Sequence, residues 1–177
     1  MYRALAPLAL ALLLALAGCN VPETPPDEDV VSVSLTNEAD RTHDVWITIA
    51  AEPFEAVEIT YRNGSTRRVP VESLDQLDAG RFDGATNLTI LADRVQRQRF
   101  ALEPDTGIGK TYTDVPADPT VVYFSRVRGD DAVRNVGVAT CGAGPGVTDL
   151  RLTVRPDGSY SVETTCTERS PSSESPA

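Results

Sequence analysis

The sequence predicts an all-β domain built as an antiparallel sandwich, and three observations predict it. Apolar residues recur with period two, rather than about 3.6, along most of the chain. The segments that carry this alternation are short, rich in valine, isoleucine and threonine, and separated by turn chemistry. No segment carries the long amphipathic stripe of a surface helix. At 177 residues the chain is the size of one domain.

The chain opens on Met1, Tyr2 and Arg3, a short positive start. Ala4–Gly18 follows, almost wholly Ala and Leu, broken only by Pro7. A helix of this length rises about 22 Å, short of a hydrocarbon core of about 30 Å. A positive start, a short apolar run and small residues at its end make a cleaved secretory signal helix, residues 1–18. The run ends in Leu16-Ala17-Gly18-Cys19, which resembles the lipobox of bacterial and archaeal lipoproteins. The resemblance implies a diacylglyceryl-type lipid on the Cys19 thiol and cleavage that leaves Cys19 first. Two alkyl chains anchor stably where one binds marginally. The alternative is an ordinary cleaved signal with a chance cysteine.

Residues 19–29 read as the lipidated tether. Asn20–Asp29 (NVPETPPDED) combines three prolines with four carboxylates. Proline stiffens an extended chain, and like charges repel. Residues 168–177 (ERSPSSESPA) are Ser/Pro-rich and read as a disordered tail. The foldable domain is 30–167.

Within it the strands follow in order. Val31, Val33 and Leu35 alternate with Ser32, Ser34 and Thr36. Val45, Ile47 and Ile49 alternate with Trp46 and Thr48. Val57, Ile59 and Tyr61 alternate with Glu58 and Thr60. Further strands are expected at Arg67–Val71, Leu88–Leu91, Val95–Leu102, Thr120–Arg128 and Arg134–Thr140. The last two are Val147–Arg155 and Ser159–Cys166. Arg62-Asn63-Gly64-Ser65 is a hairpin turn in which Asn-Gly tolerates positive φ at both central positions. Arg155-Pro156-Asp157-Gly158 is a second turn. One helical turn is expected over Val71–Leu77. Phe100-Ala101-Leu102-Glu103-Pro104, followed by Tyr112-Thr113-Asp114-Val115-Pro116, resembles the late strands of immunoglobulin-like and transthyretin-like surface modules. The resemblance implies an immunoglobulin-like sandwich and transfers no function, because such sandwiches host unrelated roles.

Acidic residues number 26 and basic residues 16, a formal charge of −10. Loss of Arg3 with the signal takes the mature chain to −11. This charge argues against a nucleic-acid-binding surface. All basic residues but Lys110 are arginine. Self-repulsion of this size destabilises a compact state in dilute buffer, and molar salt, with a Debye length of about 3 Å, screens it. Excess acid with scarce lysine resembles the proteins of extreme halophiles. The other reading is codon bias in a GC-rich genome.

With Cys19 lipidated, Cys141 and Cys166 form an even pair in an oxidising compartment and are expected to be disulfide-bonded. The loop closed is worth about 3.5 kcal/mol by the chain-entropy estimate. If the last three strands formed a simple meander, the outer two would lie about 9.6 Å apart, beyond the reach of about 7 Å between Cα atoms. Either Cys141 curls over the edge beyond its strand, or the strands lie in facing sheets. Cys166 shares a phase with Tyr160 and Val162 and is expected to point inward. A redox pair would need closer spacing.

No catalytic set stands out. Gly109-Lys110-Thr111 ends like a phosphate-binding loop, but Pro104 occupies the position of the leading glycine and no helix follows. The segment reads as a strand-connecting loop. His43 is the only histidine, with Asp40 and Asp44 beside it. No Gly-x-Ser-x-Gly elbow accompanies it, and it reads as a solvated turn residue. One histidine and a disulfide supply no zinc site. The acid clusters Asp27–Asp29 and Asp130–Asp131 lack EF-hand spacing and read as solvated surface, with a weak cation site at Asp130/Asp131 as the alternative. A secreted hydrolase would need two convergent carboxylates of raised pKa in a cleft. Asn63-Gly64-Ser65 and Asn87-Leu88-Thr89 are glycosylation sequons.

The expected protein is therefore an exported lipoprotein on the outer face of the cell membrane. It is non-enzymatic, with no cofactor, metal or nucleic-acid partner. It meets the membrane through the lipid on Cys19, with other envelope proteins as partners. The alternative function is a small solute-binding accessory of a transporter.

Overall fold

The computed structural model describes residues 30–51, 54–70, 82–142 and 146–167. The expected signal helix, Cys19, the tether, the helical turn over 71–77 and the tail lie outside the described residues.

The strands are β1 (Val31–Asn37), β2 (His43–Ala51), β3 (Ala56–Tyr61), β4 (Thr66–Val69), β5 (Ala85–Leu91) and β6 (Val95–Leu102). Then come β7 (Thr106–Tyr112), β8 (Pro119–Val127), β9 (Arg134–Ala139), β10 (Gly146–Val154) and β11 (Tyr160–Thr167). Each segment marked by alternation is a strand. β7 was expected to be a loop. Its sequence, TGIGKTY, has two glycines and no apolar alternation. Pairing makes it a strand: a ladder with β1 runs from Val31↔Tyr112 to Asn37↔Thr106. Tertiary context overrides weak β-propensity here. Gly109, Lys110 and Thr111 thus lie in an extended edge strand, which cannot cradle a phosphate.

Three sheets form. The first has the order β11-β10-β1-β7, the second β6-β2-β8-β9 and the third β4-β3-β5. The first two face each other as the sandwich. Their core holds Val31, Val33 and Leu35 of β1 and Val45, Ile47 and Ile49 of β2, with Leu150, Leu152 and Val154 of β10. Burying each such side chain contributes roughly 1.5–3 kcal/mol. The third sheet covers part of the second sheet's other face, where Phe54, Val57, Ile59 and Leu88 pack with Ala50, Val122 and Phe124. β2 is therefore covered on both faces over most of its length.

Among the described residues all ladders are antiparallel except one. β1 and β10 run parallel from Ser32↔Asp149 to Asn37↔Val154, a single departure from the expected antiparallel sandwich. The β9–β10 connection crosses from the second sheet to the first, so the last three strands are no meander. That brings Cys141, just past β9, to Cys166 on β11, with Cα atoms 5.7 Å apart and a disulfide between them. Cys166 is exposed rather than inward-pointing, and Cys141 is the half-buried partner against the core. β11 is an edge strand whose last residues are exposed, so sharing a phase with Tyr160 and Val162 does not turn Cys166 inward.

Two hairpin turns share one design. In each, the glycine N–H donates to a carbonyl three residues back (Gly64 to Tyr61, Gly158 to Arg155), and those residues bond Ser65 and Ser159 across the ladder. Gly64 and Gly158 have φ of 80° and 78°. Asn63 and Asp157 accept from the N–H of Ser65 and Ser159 through their side chains. Asn63 does not take positive φ, contrary to expectation. This is a type I turn closed by a glycine bulge, in which one left-handed residue suffices.

Strand directions define two poles. Asn37, Leu102, Val127 and Val154 end their strands at one pole, where the Asn37 side chain donates to the Leu102 carbonyl at 3.0 Å. Loops 38–42, 103–105, 128–133 and 155–159 gather there. Val30, the disulfide and Thr167 lie at the opposite pole.

Candidate functional site: an arginine plate and a cleft at the loop pole

Asp44 is the second residue of β2 and points away from the sandwich core. It is 1% exposed. Arg99 Nη2 donates to its Oδ2 at 2.7 Å and Arg128 Nη2 to its Oδ1 at 3.0 Å. Arg126 Nε stands 3.7 Å from Oδ2. Burial opposes the charged carboxylate, but the hydrogen bonds from Arg99 and Arg128 outweigh it, and Asp44 is held below the usual carboxylate range.

Period two brings Trp46 onto the same face. Its ring stacks on Phe124 at 4.8 Å and 6°. The guanidinium carbons of Arg99 and Arg126 lie 5.2 and 5.0 Å from its centroid. Arg97 lies 5.6 Å over Phe124 and donates to Asn87 and Thr89 of β5. Register explains the cluster: β2 is central, Trp46 pairs with both Arg99 and Phe124, and Asp44 pairs with Arg126. Stacking on aromatic faces fixes guanidinium planes that would otherwise be mobile.

Beside this plate lies an open cleft of about 530 Å³, lined among others by Asp40, Arg41, His43, Asp130, Arg134 and Asn135. That volume is within the range of small-molecule sites. His43 begins β2 and is only 3% exposed, so the expectation of a solvated turn histidine is corrected. The sandwich packs the far sheet against it: Nδ1 is 3.4 Å from Tyr160 Oη of β11. Desolvation, then the charge of Arg41, pushes its pKa down, with Asp44 acting the other way. Burial raises Tyr160 to about 12. Asn135 is the extra residue of a bulge in β9, with φ of 40°, and its side chain donates to the Gly158 carbonyl at 3.1 Å. Asparagine tolerates that backbone region better than most residues.

The predicted candidates are not brought together for catalysis. His43 and Asp44 are neighbours on a strand and face opposite sides of it, His43 toward Tyr160 and Asp44 toward the arginines. Asp130 accepts from Arg134 at 2.9 Å and from the Ala132 N–H, and these bonds hold it low. Asp157 is held low by Ser159. A general acid needs the opposite shift. Among the described residues no group of three or more His, Cys, Asp or Glu is placed to hold a metal. Asn63 lies in its exposed turn with Oδ1 accepting from Ser65 Oγ at 2.6 Å. Asn87 is half-buried on β5, where its Oδ1 accepts from Arg97.

The plate was missed in the sequence. Its signal was present: Arg97 and Arg99 alternate with Gln96 and Gln98, and Arg126 and Arg128 alternate around Val127. Period-two charge identifies a common face, but not that two such strands flank the one bearing Asp44 and Trp46.

A family model described as "Halobacterial Ig domain protein" matches residues 1–171. No curated protein matches the chain. Among solved structures, the crystal structure of the human-specific toxin intermedilysin aligns with a TM-score of 0.33 and 4% identity over 80% of this chain. The chain spans 24% of that toxin's length, and a likeness at this level carries no weight for fold or function.

Proposed function

The chain belongs to the halobacterial Ig domain family, and on that footing we propose that it is an exported, membrane-anchored interaction module without catalytic activity of its own. The observation that carries this reading is polarity. The chain enters the domain at the pole that holds the disulfide, while the cleft and the arginine plate stand at or beside the other. A lipid on Cys19 and a stiff acidic tether would present the loop pole outward. The disulfide fits an oxidising compartment. The acid excess and single lysine agree with the family's description.

The solute-binding alternative takes its support from the cleft. The space between the sandwich sheets is filled by Ile47, Ile49, Leu150 and Leu152. The cleft is open and framed by loops, a form that suits a protein partner. The anchor is tested by fractionation and intact mass. Wild type should sit in the membrane fraction with two alkyl chains on an N-terminal Cys19, and Cys19→Ser should be released. Wild type recovered soluble and unlipidated would contradict the reading.

A further inference from the structure

We propose that the arginine plate around Asp44 binds an extended acidic polypeptide segment of a partner protein. This deepens the interaction reading and rests on it for the partner being a protein.

The chain carries a charge of −10, yet one face of the second sheet gathers Arg99, Arg126 and Arg128 around a single carboxylate, with Arg97 nearby over Phe124. Asp44 needs far less than this. One oxygen is satisfied by Arg99 and the other by Arg128. Arg126, at 3.7 Å, adds charge rather than a well-formed hydrogen bond. Arg97 bonds only neutral groups, Asn87 and Thr89, among the described residues. The plate therefore keeps an excess of positive charge. Its cations are reachable: the side chains of Arg99 and Arg128 are 49% and 48% exposed. A guanidinium has five donors in a planar fork, so each retains N–H groups for a second carboxylate. Stacking on Trp46 and Phe124 holds the forks of Arg97, Arg99 and Arg126 before the ligand arrives, and the bond to Asp44 holds that of Arg128, which lowers the entropy cost of binding.

Spacing selects the class of ligand. Arg97 and Arg99 are two residues apart on β6, and Arg126 and Arg128 are two apart at the end of β8. Such pairs repeat at about 6.7 Å along a strand, and an extended peptide with Asp or Glu at alternate positions presents carboxylates at the same interval. The face is a sheet surface rather than a hole, which suits a chain lying along it.

Trp46 is the only tryptophan, so its fluorescence reports from the plate itself. The titrant is a short peptide of alternating Asp and Ser, at the lowest salt that preserves the near-UV spectrum. A saturable change is expected, absent with an Asn/Ser peptide. Arg126→Gln leaves both hydrogen bonds to Asp44 in place and should weaken binding several-fold. Arg99→Gln combined with Arg128→Gln should weaken it about tenfold or more. Asp44→Asn removes the competing carboxylate and should tighten it. No saturable change in folded wild type, unchanged affinity in Arg126→Gln, or equally tight binding of polygalacturonate would each overturn the proposal. Failure here with Cys19 lipidated sinks the plate alone, whereas an unlipidated Cys19 with peptide binding intact sinks the anchor alone.

Discussion

Asp44 and Trp46 lie two residues apart on β2, and Arg99 serves both: it hydrogen-bonds the carboxylate at 2.7 Å and covers the indole at 5.2 Å. A buried acid and the only tryptophan are thereby tied into one unit with Arg126, which stacks on the indole at 5.0 Å and faces the carboxylate at 3.7 Å without a hydrogen bond. The loop-pole end of the second sheet is held by charge and stacking where the third sheet's apolar cover gives out.

Asp44→Ala should therefore be the most damaging single change in this unit. It leaves the guanidinium groups of Arg99, Arg126 and Arg128 crowded without their anion. Removing one side of a buried ion pair costs about 3–5 kcal/mol, and the half-exposed arginines bring the expectation to the lower end. Arg99→Gln should cost about 1 kcal/mol, because Arg128 still serves the carboxylate. Urea unfolding of the two variants checks the order, and equal costs would contradict it.

His43 gives the fold a pH dependence of definite sign. Burial lowers its pKa below 6.5 in the folded state, so the unfolded chain takes up the proton first. Its contribution is complete above about pH 6.5 and declines as the pH falls below that value. Asp44, also held low but from 3.8, is lost only in more acid solution, so the two windows separate. Since His43 is the only histidine, His43→Gln should flatten stability between about pH 6.5 and 5. Thermal unfolding across that range checks it.

Tyr112 and Tyr160 should respond oppositely to loss of the hydroxyl. Among the described residues the Tyr112 hydroxyl is buried without a hydrogen-bond partner, and burial pushes its pKa up to about 12. Tyr112→Phe removes an unsatisfied group and should leave stability unchanged or raise it by about 1 kcal/mol. Tyr160→Phe deletes the contact with His43 and should lower it by about 1 kcal/mol. Melting temperatures of both variants decide the matter.

The Cys141–Cys166 bridge closes a loop of 25 residues between the sandwich sheets. The chain-entropy estimate for such a loop is about 3.5 kcal/mol. Changing both cysteines to serine should lower stability by about that amount, while the loop pole, at the far end of the strands, keeps its Trp46 spectrum. Loss of that spectrum under conditions where the variant remains folded would show that the poles are not independent.

Alternation made most of the strands legible, because a half-buried strand must repeat at two. It missed β7, whose residues are exposed up to Tyr112 and whose glycines form a strand only because β1 supplies the ladder. It did not reveal the third sheet either. Trp46 and Thr48 read as the outer face of a strand, and nothing local distinguishes an outer face in water from one under Leu88 and Phe54. His43 was misread for a related reason: its burial depends on Tyr160, 117 residues away. The disulfide partners were legible by elimination, and the reach of a disulfide ruled out a simple meander, leaving two alternatives of which the structure has strands in facing sheets with Cys141 just past β9.

In the proposed function, partners engage the loop pole while the terminal pole faces the membrane. Photo-crosslinking in cells at native salt tests it most directly, with the crosslinking residue placed either at Ala101, paired with Asp44 beside the plate, or at Thr140, near the disulfide. Both positions are exposed. Discrete protein adducts are expected from Ala101, diminished by Arg126→Gln, and none from Thr140. Adducts from Thr140 with none from Ala101 would contradict it.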